Sequence, residues 1–390
     1  MSPLCESYVS PDRLDDMEQF FPLHVRVCDA CFLVQLPELV SPAEIFTEYA
    51  YFSSYSDSWL AHAADYVEKT LSRFGLSDES FVVELGSNDG YLLQHFVERG
   101  IPSLGIEPAR NVAEAATEKG VPTLVSFFGL ELARRLRQEG RAADLVVANN
   151  VLAQVPDLND FVAGIAALLL PRGIATLEFP HLMRLIEGNQ FDTIYHEHYS
   201  YFSFGTARRI FQAHGLKVFD VEELPTHGGS LRVYVGHASD GSRPVGPRVA
   251  GLAEREHEAG FTTPEPYSSF SQRVEQVKRE LLDFLILAKR QGKRIAGYGA
   301  PGKGNTLLNY CGIRTDFLDY TVDRNPYKQG LALPGTHIPI FHPDRIADTR
   351  PDYIFILPWN IKSEIVQQLS YVRAWGGRFI VPIPRLEVLD

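Results

Sequence analysis

The stretch Phe81–Leu93, FVVELGSNDGYLL, constrains the fold more than any other part of the sequence. It begins with three apolar residues, continues through Gly86 and Gly90, and ends in residues that can start a helix. A buried run followed by a glycine turn and a helix is typical of the first unit of a parallel sheet. The later run SLGIEP places Glu107 at the end of the next predicted strand. The sequence therefore predicts an α/β fold with a ligand site at the carboxyl ends of its strands.

The spacing of the glycine turn distinguishes two classes of cofactor. A pyrophosphate turn has the closer G-x-G-x-x-G spacing, which lets backbone amides approach phosphate oxygens. The wider E-x-G-x-x-x-G pattern seen here is typical of folds that bind S-adenosylmethionine, in which a carboxylate at the second strand end holds both ribose hydroxyls. An aromatic side chain after the third strand could flank the adenine. The predicted cofactor residues are Glu84, Gly86, Ser87, Asn88, Gly90, Glu107, Phe128 and Asn150.

Two more apolar runs continue the predicted sheet. Asp144–Asn150 (DLVVANN) ends in paired asparagines, with Gln154 shortly after it, and Ile174–Pro180 (IATLEFP) is followed directly by His181. Carboxyl ends of parallel strands meet at one edge of a sheet, so we expect these polar residues to border the substrate cleft.

The segment QFDTIYHEHYSYFS, residues 190–203, combines histidines, carboxylates and tyrosines without any lysine or arginine. Tyr195, Glu197 and His198 cannot all share one face, because adjacent residues point in different directions. A neutral imidazole beside a carboxylate and a phenol suits proton abstraction near neutral pH. A polar turn with a structural or zinc-binding role fits the spacing equally well. His227, in a later glycine turn, is a third histidine that could reach the same edge.

The last third of the chain reads as a second α/β unit. Residues 238–263 are polar and rich in Pro and Gly, which suggests a linker, and residues 268–293 have the spacing of a long amphipathic helix. The strand–loop–helix that follows, RIAGYGAPGKGNTLLNY, does match G-x-G-x-x-G, and Asp323 ends the next predicted strand. A nicotinamide dinucleotide site is therefore one interpretation. Lys303 within the loop favours the diphosphate of a nucleotide sugar instead.

Composition limits the function classes. A chain of 390 residues with net charge −12 is expected to form two domains and not to bind nucleic acid. It has no apolar run of membrane-spanning length and no signal peptide pattern at residue 1, so we expect no membrane partner and a cytoplasmic location. Four cysteines do not make a disulfide framework in so long a chain. Cys28 and Cys31 form one C-x-x-C, which is half of a tetrahedral zinc site.

Together these motifs resemble the sugar C-methyltransferase family, whose members methylate a carbon next to the ketone of nucleotide-linked 4-keto-deoxy sugars. The resemblance covers nearly the whole chain. It rests, in chain order, on FPLHVRVCDACFLVQL, VVELGSNDGYLL, EFPHL, YHEHYSYFS, THGGSLRVYVGH, GYGAPGKGNTLLNY, and VDRNPYKQG with LPGTHIPI. It implies a remnant of a zinc lobe over residues 1–45, a class I methyltransferase domain over 46–240, and a linker helix with a C-terminal Rossmann-like domain that binds the nucleotide sugar over 241–390.

The resemblance also implies roles for individual residues. His198 would be the base, supported by Tyr195 and by Glu197, which would orient its ring, with His227 and Gln154 as further catalytic candidates. The family has a histidine at the position of Gln154, and an amide cannot relay a proton. The implied substrate contacts are Tyr49, His181, Gly299, Lys303, Asn305 and His337.

The family's zinc lobe has two C-x-x-C pairs, of which this sequence holds only Cys28 and Cys31. We therefore expect weak zinc binding, and we expect the natural start to lie upstream of Met1, with the missing pair.

The expected chemistry is removal of an acidic proton next to a ketone, followed by methylation of the enolate carbon. Three alternatives remain at this stage. One is an O- or N-methyltransferase that uses His198 on a hydroxyl or an amine. The second is an oxidoreductase built on the glycine loop 297–302, and the third is a binding protein without catalysis.

Overall fold

The structure is a computed structural model that describes residues 1–47, 49 and 51–390. The strands in these residues are β1 (Arg26–Val27), β2 (Val34–Gln35), β3 (Val82–Leu85), β4 (Ser103–Glu107), β5 (Thr123–Val125), β6 (Ala143–Asn149), β7 (Leu169–Pro180), β8 (Ser200–Tyr201), β9 (Leu216–Leu224), β10 (Ser230–His237), β11 (Ile295–Tyr298), β12 (Thr321–Val322), β13 (Ile340–Phe341), β14 (Tyr353–Ile356), β15 (Arg378–Val381) and β16 (Glu387–Leu389).

The α-helices of the same residues are α1 (Pro42–Phe46), α2 (Asp57–Phe74), α3 (Leu93–Val97), α4 (Arg110–Glu118), α5 (Leu130–Gln138), α6 (Leu158–Leu168), α7 (Leu182–Glu187), α8 (Phe204–Ala213), α9 (Pro247–Glu258), α10 (Glu265–Ser268), α11 (Phe270–Arg290), α12 (Gly302–Cys311), α13 (Arg345–Thr349) and α14 (Lys362–Gln368). Short 3₁₀ helices at Phe191–Thr193, Thr226–Gly228 and Trp359–Ile361 carry residues of the candidate site. None of the helices in the described part of the chain has both the length and the apolarity to cross a bilayer.

The first sheet has seven strands in the order β5-β4-β3-β6-β7-β10-β9. Strands β3 to β7 pair in parallel, while β10 pairs antiparallel with both β7 and β9. All four residues of β3 are buried, as expected for a parallel strand that is covered by helices on both faces. The chain crosses from one side of the sheet to the other between β3 and β6, so their carboxyl ends open the crevice in which ligands of such sheets bind.

The second sheet has six strands in the order β13-β12-β11-β14-β15-β16, and only β16 is antiparallel to its neighbour. Its order reverses between β11 and β14, which gives it a crevice of its own. The stripe predicted on the long helix lies on α11, where Val274, Val277, Leu281 and Leu285 pack into the core of this sheet.

A small antiparallel sheet joins the N-terminal segment to the segment around His198. It has the order β1-β2-β8, and Val34 of β2 pairs with Tyr201 of β8. The first forty residues therefore pack against the candidate catalytic segment.

The stretch 238–263, expected to be a linker, contains the ordered helix α9. Its Val249 and Leu252 are buried in the core of the first sheet, and the Glu256 carboxylate accepts hydrogen bonds from the backbone amides of Phe204 and Gly205 at 2.6 and 2.8 Å. The linker expectation is wrong here because a few apolar residues at helical spacing outweigh the polar composition.

Candidate active site

The crevices of the two sheets open into one central cleft of about 1030 Å³. Its walls come from the carboxyl ends of β3, β4 and β6, from the segment around His198, and from the loops after β11 and β14. Single small-molecule sites usually occupy about 300–1,000 Å³, so this cleft is large enough for a cofactor together with a second molecule.

The glycine turn after β3 forms one end of the cleft. Gly86 has φ +63°, and a Cβ atom at this position would lie 2.5 Å from Cγ2 of Val151. The backbone amides of Asn88 and Ala109 each donate a hydrogen bond of 2.9 Å to the carboxylate of Glu107. These two bonds fix the orientation of the Glu107 carboxylate beside the turn.

The chemistry of this end of the cleft fits S-adenosylmethionine. Glu107 contributes a carboxylate, while Asn149 and Asn150 have buried Oδ1 atoms with no hydrogen-bond partner among the residues that the structure describes. These are acceptors, and the cofactor's ribose hydroxyls and ammonium group are donors. The residues that would hold the cofactor are therefore those around Gly86, Glu107 and the paired asparagines.

The predicted cofactor residues divide into two groups. Five line the cleft: Gly86, Asn88, Glu107, Phe128 and Asn150. Glu84, Ser87 and Gly90 lie behind the turn and do not line it. Burial raises the pKa of Glu84 well above its ordinary value, and a Cβ atom on Gly90 would lie 2.9 Å from Val121. These three residues shape the turn from behind.

The segment predicted to be catalytic reaches the cleft with Tyr195, Glu197 and His198. His196 does not line the cleft and places its Nε2 atom 3.1 Å from the carbonyl oxygen of Pro22. The ring centroids of Tyr195 and His198 are 4.3 Å apart. Burial lowers the pKa of His198 to about 3, although a hydrogen bond to the backbone of Thr193 partly opposes this effect. His198 is therefore a neutral imidazole at pH 7.

Glu197 does not have the partner expected from the sequence. Its two carboxylate oxygens accept hydrogen bonds from the Tyr49 hydroxyl at 2.8 Å and the Cys5 thiol at 3.1 Å, instead of orienting His198. Burial raises the pKa of Glu197 to about 7, and the nearby Glu6 adds to the shift.

His227 also lines the cleft, at the strained position φ +54°. Its ring lies edge-on to Trp59 with centroids 5.1 Å apart, and burial lowers its pKa to about 4. The turn is anchored by the Thr226 hydroxyl, which donates to Glu178 at 2.8 Å. Glu178 in turn accepts a hydrogen bond of 2.7 Å from Arg232. A buried ion pair thus holds the His227 turn in place.

The second sheet contributes a cation and an amide to the opposite wall. The Lys303 ammonium donates to Asn360 Oδ1 at 2.8 Å and lies 5.0 Å from the centroid of the Trp359 ring. Burial lowers the pKa of Lys303 to about 8, although Asp192 opposes this shift. Gln154 lines the cleft on the side of the first sheet. The cleft therefore joins acceptors at one end to a cation at the other.

The N-terminal segment contributes residues that the sequence did not single out. Cys5 and Glu6 line the cleft, and the segment covers the glycine loop of the second sheet. The Cys5 carbonyl accepts from Asn305 at 2.5 Å, while the Tyr8 hydroxyl donates to the Ala300 carbonyl at 2.5 Å. A Cβ atom on Gly302 would lie 2.8 Å from the Cys5 sulfur. The N-terminal segment therefore packs against the start of the helix Gly302–Cys311, beside the part of the loop that lines the cleft.

Three predicted substrate contacts lie outside the cleft lining. His181 is 1% exposed, and its Nε2 atom is 2.7 Å from Glu256. Asn305 is buried against Cys5, and His337 lies 3.0 Å from Glu18. Each of these side chains is hydrogen-bonded to another part of the chain, so in this structure none of the three faces the cleft. Tyr49, Gly299 and Lys303 do line the cleft.

Cys28 and Cys31 are partly exposed free thiols, away from the cleft. Within the described residues, no group of three or more His, Cys, Asp or Glu side chains is placed to hold a metal ion. A structural zinc site needs four ligands. The residues present therefore do not fit a complete zinc site, and no step is assigned to zinc.

Three family models match the chain. "Methyltransferase domain" matches residues 59–221, "C-methyltransferase C-terminal domain" matches 225–384, and "Putative zinc binding domain" matches 1–46. C-methyltransferase NovU of Streptomyces niveus is 38% identical over 389 residues, which are 100% of this chain and 92% of the relative. The chain belongs to the C-methyltransferase family. The predicted class I methyltransferase fold and the predicted S-adenosylmethionine-dependent methyltransferase activity are thereby confirmed.

Solved structures resemble smaller parts of this C-methyltransferase. Magnesium protoporphyrin IX methyltransferase from Synechocystis PCC 6803, with bound SAM, is 17% identical, with a TM-score of 0.35 over 46% of this chain and 81% of that one. An S-adenosylmethionine-dependent methyltransferase from Clostridium acetobutylicum is 9% identical, with a TM-score of 0.35 over 45% of this chain and 90% of that one.

Proposed function

We propose that this C-methyltransferase methylates a carbon next to the ketone of a nucleotide-linked 4-keto-deoxy sugar. The observation that carries the proposal is the arrangement of the central cleft. Two neutral imidazoles, His198 and His227, line the same cleft as the acceptors around Glu107 and the cation Lys303. A substrate with an acidic C–H and an anionic diphosphate matches both of these features.

In the proposed reaction His198 removes the proton next to the ketone. Its low pKa keeps the ring neutral and able to accept a proton, but it also weakens the base. The charge of Lys303 contributes to lowering the pKa of His198 and His227. A diphosphate bound at Lys303 would offset that charge, so substrate binding is expected to raise the basicity of His198.

The enolate oxygen needs hydrogen-bond donors on the same side of the cleft. Tyr195, His227 and the Gln154 amide line it and have N–H or O–H groups for this purpose. Tyr49 and Cys5 hold Glu197 beside Tyr195, which makes Glu197 a supporting residue. When bound near Gly86, S-adenosylmethionine supplies an electrophilic methyl group.

The proposal assigns separate tasks to the parts of the chain. Residues 46–240 would bind the cofactor and carry the base, residues 241–390 would hold the nucleotide sugar through Lys303 and Asn360, and residues 1–45 would close the cleft through Cys5 and Glu6. The C-methyltransferase NovU match supports carbon as the methylated atom.

The test is incubation with S-adenosylmethionine and a panel of nucleotide 4-keto sugars, read by mass for the gain of one methylene. A second assay in D₂O without cofactor measures deuterium entry next to the ketone. We expect His198→Ala to abolish both signals while cofactor binding, measured by calorimetry, is retained.

His214→Ala is the matched control, because His214 lies outside the cleft and pairs with Asn159. Deuterium entry at the wild-type rate in His198→Ala would reject the assignment of the base. Methyl transfer to a hydroxyl without any C–H exchange would favour an O-methyltransferase instead.

A further inference from the structure

One side chain of the second sheet fills the gap between the two turns that carry the cleft histidines. Trp359 follows β14 and is 7% exposed. Its indole N–H donates to Asp192 Oδ2 at 2.7 Å, and Asp192 is fully buried in the 3₁₀ helix Phe191–Thr193. Asp192 precedes His198 by six positions, in the segment that also carries the cleft residues Tyr195 and Glu197. Trp359 thus holds the start of the segment that ends in His198.

The same indole packs against the His227 turn. Gly228 has φ +89°, and a Cβ atom at this position would lie 2.5 Å from Cη2 of Trp359. The Gly228 carbonyl accepts a hydrogen bond of 2.7 Å from Gln190, which precedes the Asp192 helix. The two turns and the indole therefore form one packed unit, with Trp359 touching both turns.

Trp359 lines a side groove of about 680 Å³ together with Gly228 and Gly229. Its chain neighbours Pro358 and Asn360 line the central cleft. On the cleft side, Lys303 lies over the indole ring and binds the neighbouring Asn360. Trp359 is thus in contact with the residue proposed to bind the diphosphate.

We propose that Trp359 is a positioning residue for catalysis, which aligns His198 through Asp192 and His227 through Gly228 and so couples the substrate-binding wall to the base. This inference rests on the proposed function for its kinetic consequences. The physical reason is that small displacements of a reacting group are costly, and a misplacement of about 1 Å can cost about 10²-fold in rate.

The central variant is Trp359→Phe, which keeps an aromatic ring in the gap but removes the N–H donor to Asp192. We expect the rate of deuterium exchange to fall by about ten- to a hundredfold, with KM for the sugar changed by less than about threefold. Cofactor affinity, measured by calorimetry, should stay within about twofold, because Trp359 is not among the residues that line the cleft beside the Gly86 turn.

The matched control is Trp375→Phe, in the same part of the chain. The Trp375 indole N–H donates to the Pro351 carbonyl at 3.0 Å, so this variant also loses an indole hydrogen bond. Trp375 does not line the cleft. Asp192→Asn should restore most of the rate that Asp192→Ala loses, because an amide oxygen can still accept from the indole. The double variant Trp359→Phe/Asp192→Ala should be no slower than the slower single variant, since both remove one interaction.

A readout without substrate separates this inference from the proposed function. Imidazole NMR signals of His198 and His227 should move in Trp359→Phe and stay in place in Trp375→Phe. If the wild type exchanges no sugar C–H while these signals move, the proposed substrate is wrong and the coupling stands. Any of four results would overturn the positioning role. The first two are histidine signals that do not move in Trp359→Phe, and equal rate losses in Trp359→Phe and Trp375→Phe. The other two are additive losses in the double variant, and an effect confined to KM.

Discussion

The sharpest stability prediction concerns Gly86→Ala. Gly86 has φ +63°, a backbone conformation that costs an L-residue about 1–2 kcal/mol. The added methyl would also lie 2.5 Å from Cγ2 of Val151, and such overpacking costs about 1–3 kcal/mol. The free energy of unfolding should therefore fall by about 2–5 kcal/mol.

Gly215→Ala separates the two contributions. Gly215 has φ +71°, but a Cβ atom there would meet nothing within 4 Å. Denaturant unfolding of this variant should show only the backbone cost of about 1–2 kcal/mol. Adding Val151→Ala to Gly86→Ala should recover part of the stability, because it removes the atom with which the new methyl overlaps. Adding Val151→Ala to Gly215→Ala should recover none, because that variant has no overlap to relieve.

Cofactor binding provides the functional half of the same test. Val151 follows Asn150 in the cleft wall, so relief of the overlap must move either the turn or that wall. We expect the Kd for S-adenosylmethionine, measured by calorimetry, to rise by at least about tenfold in Gly86→Ala and to stay unchanged in Gly215→Ala. Equal losses of stability in the two variants, with unchanged affinity in both, would refute the reasoning.

Two further predictions follow from buried charges. Burial lowers the pKa of Lys303 to about 8, so its ammonium form is lost as pH rises through 8. The KM of the wild type for an anionic sugar nucleotide should therefore rise in that range. The KM of Lys303→Met should be high and should not change with pH. Burial alone would raise the pKa of Glu178, but the hydrogen bond from His62 and the charge of Arg232 lower it to about 2, against an ordinary value of 4.5. The resulting stability is fully present above pH 4.5 and is lost as pH falls towards 2. The free energy of unfolding, measured with denaturant, should therefore fall between pH 4.5 and 3 by roughly 1.5 kcal/mol more in the wild type than in Glu178→Gln. Parallel pH profiles of KM in the wild type and Lys303→Met would contradict the first prediction. Parallel pH profiles of the unfolding free energy in the wild type and Glu178→Gln would contradict the second.

The local patterns of the chain were strong enough to predict much of the cofactor end. A buried run, a glycine turn and a strand ending in Glu107 are consecutive features, and the structure brings Gly86, Asn88 and Glu107 to one edge as expected. Strand order follows from a few rules of connection, so the position of this edge depends little on distant residues.

Partners distant in sequence were not predictable in the same way. Glu197 is bound by Tyr49 and Cys5, which are 148 and 192 positions away along the chain. His181 followed a strand end as expected, yet it pairs with Glu256 from a helix that the composition suggested was a linker. A sequence pattern shows which groups are able to form hydrogen bonds but not which distant element supplies the partner.

The sequence by itself determined the α/β class, the type of cofactor turn and the segment that carries the candidate base, because each depends on residues close together in the chain. Only the tertiary structure decided that the N-terminal segment covers the glycine loop of the second sheet, and that Trp359 contacts the turns of both cleft histidines. The physical reason is that these contacts arise when two sheets, each folded from its own local pattern, pack against one another and bury polar groups that must then find partners across the interface.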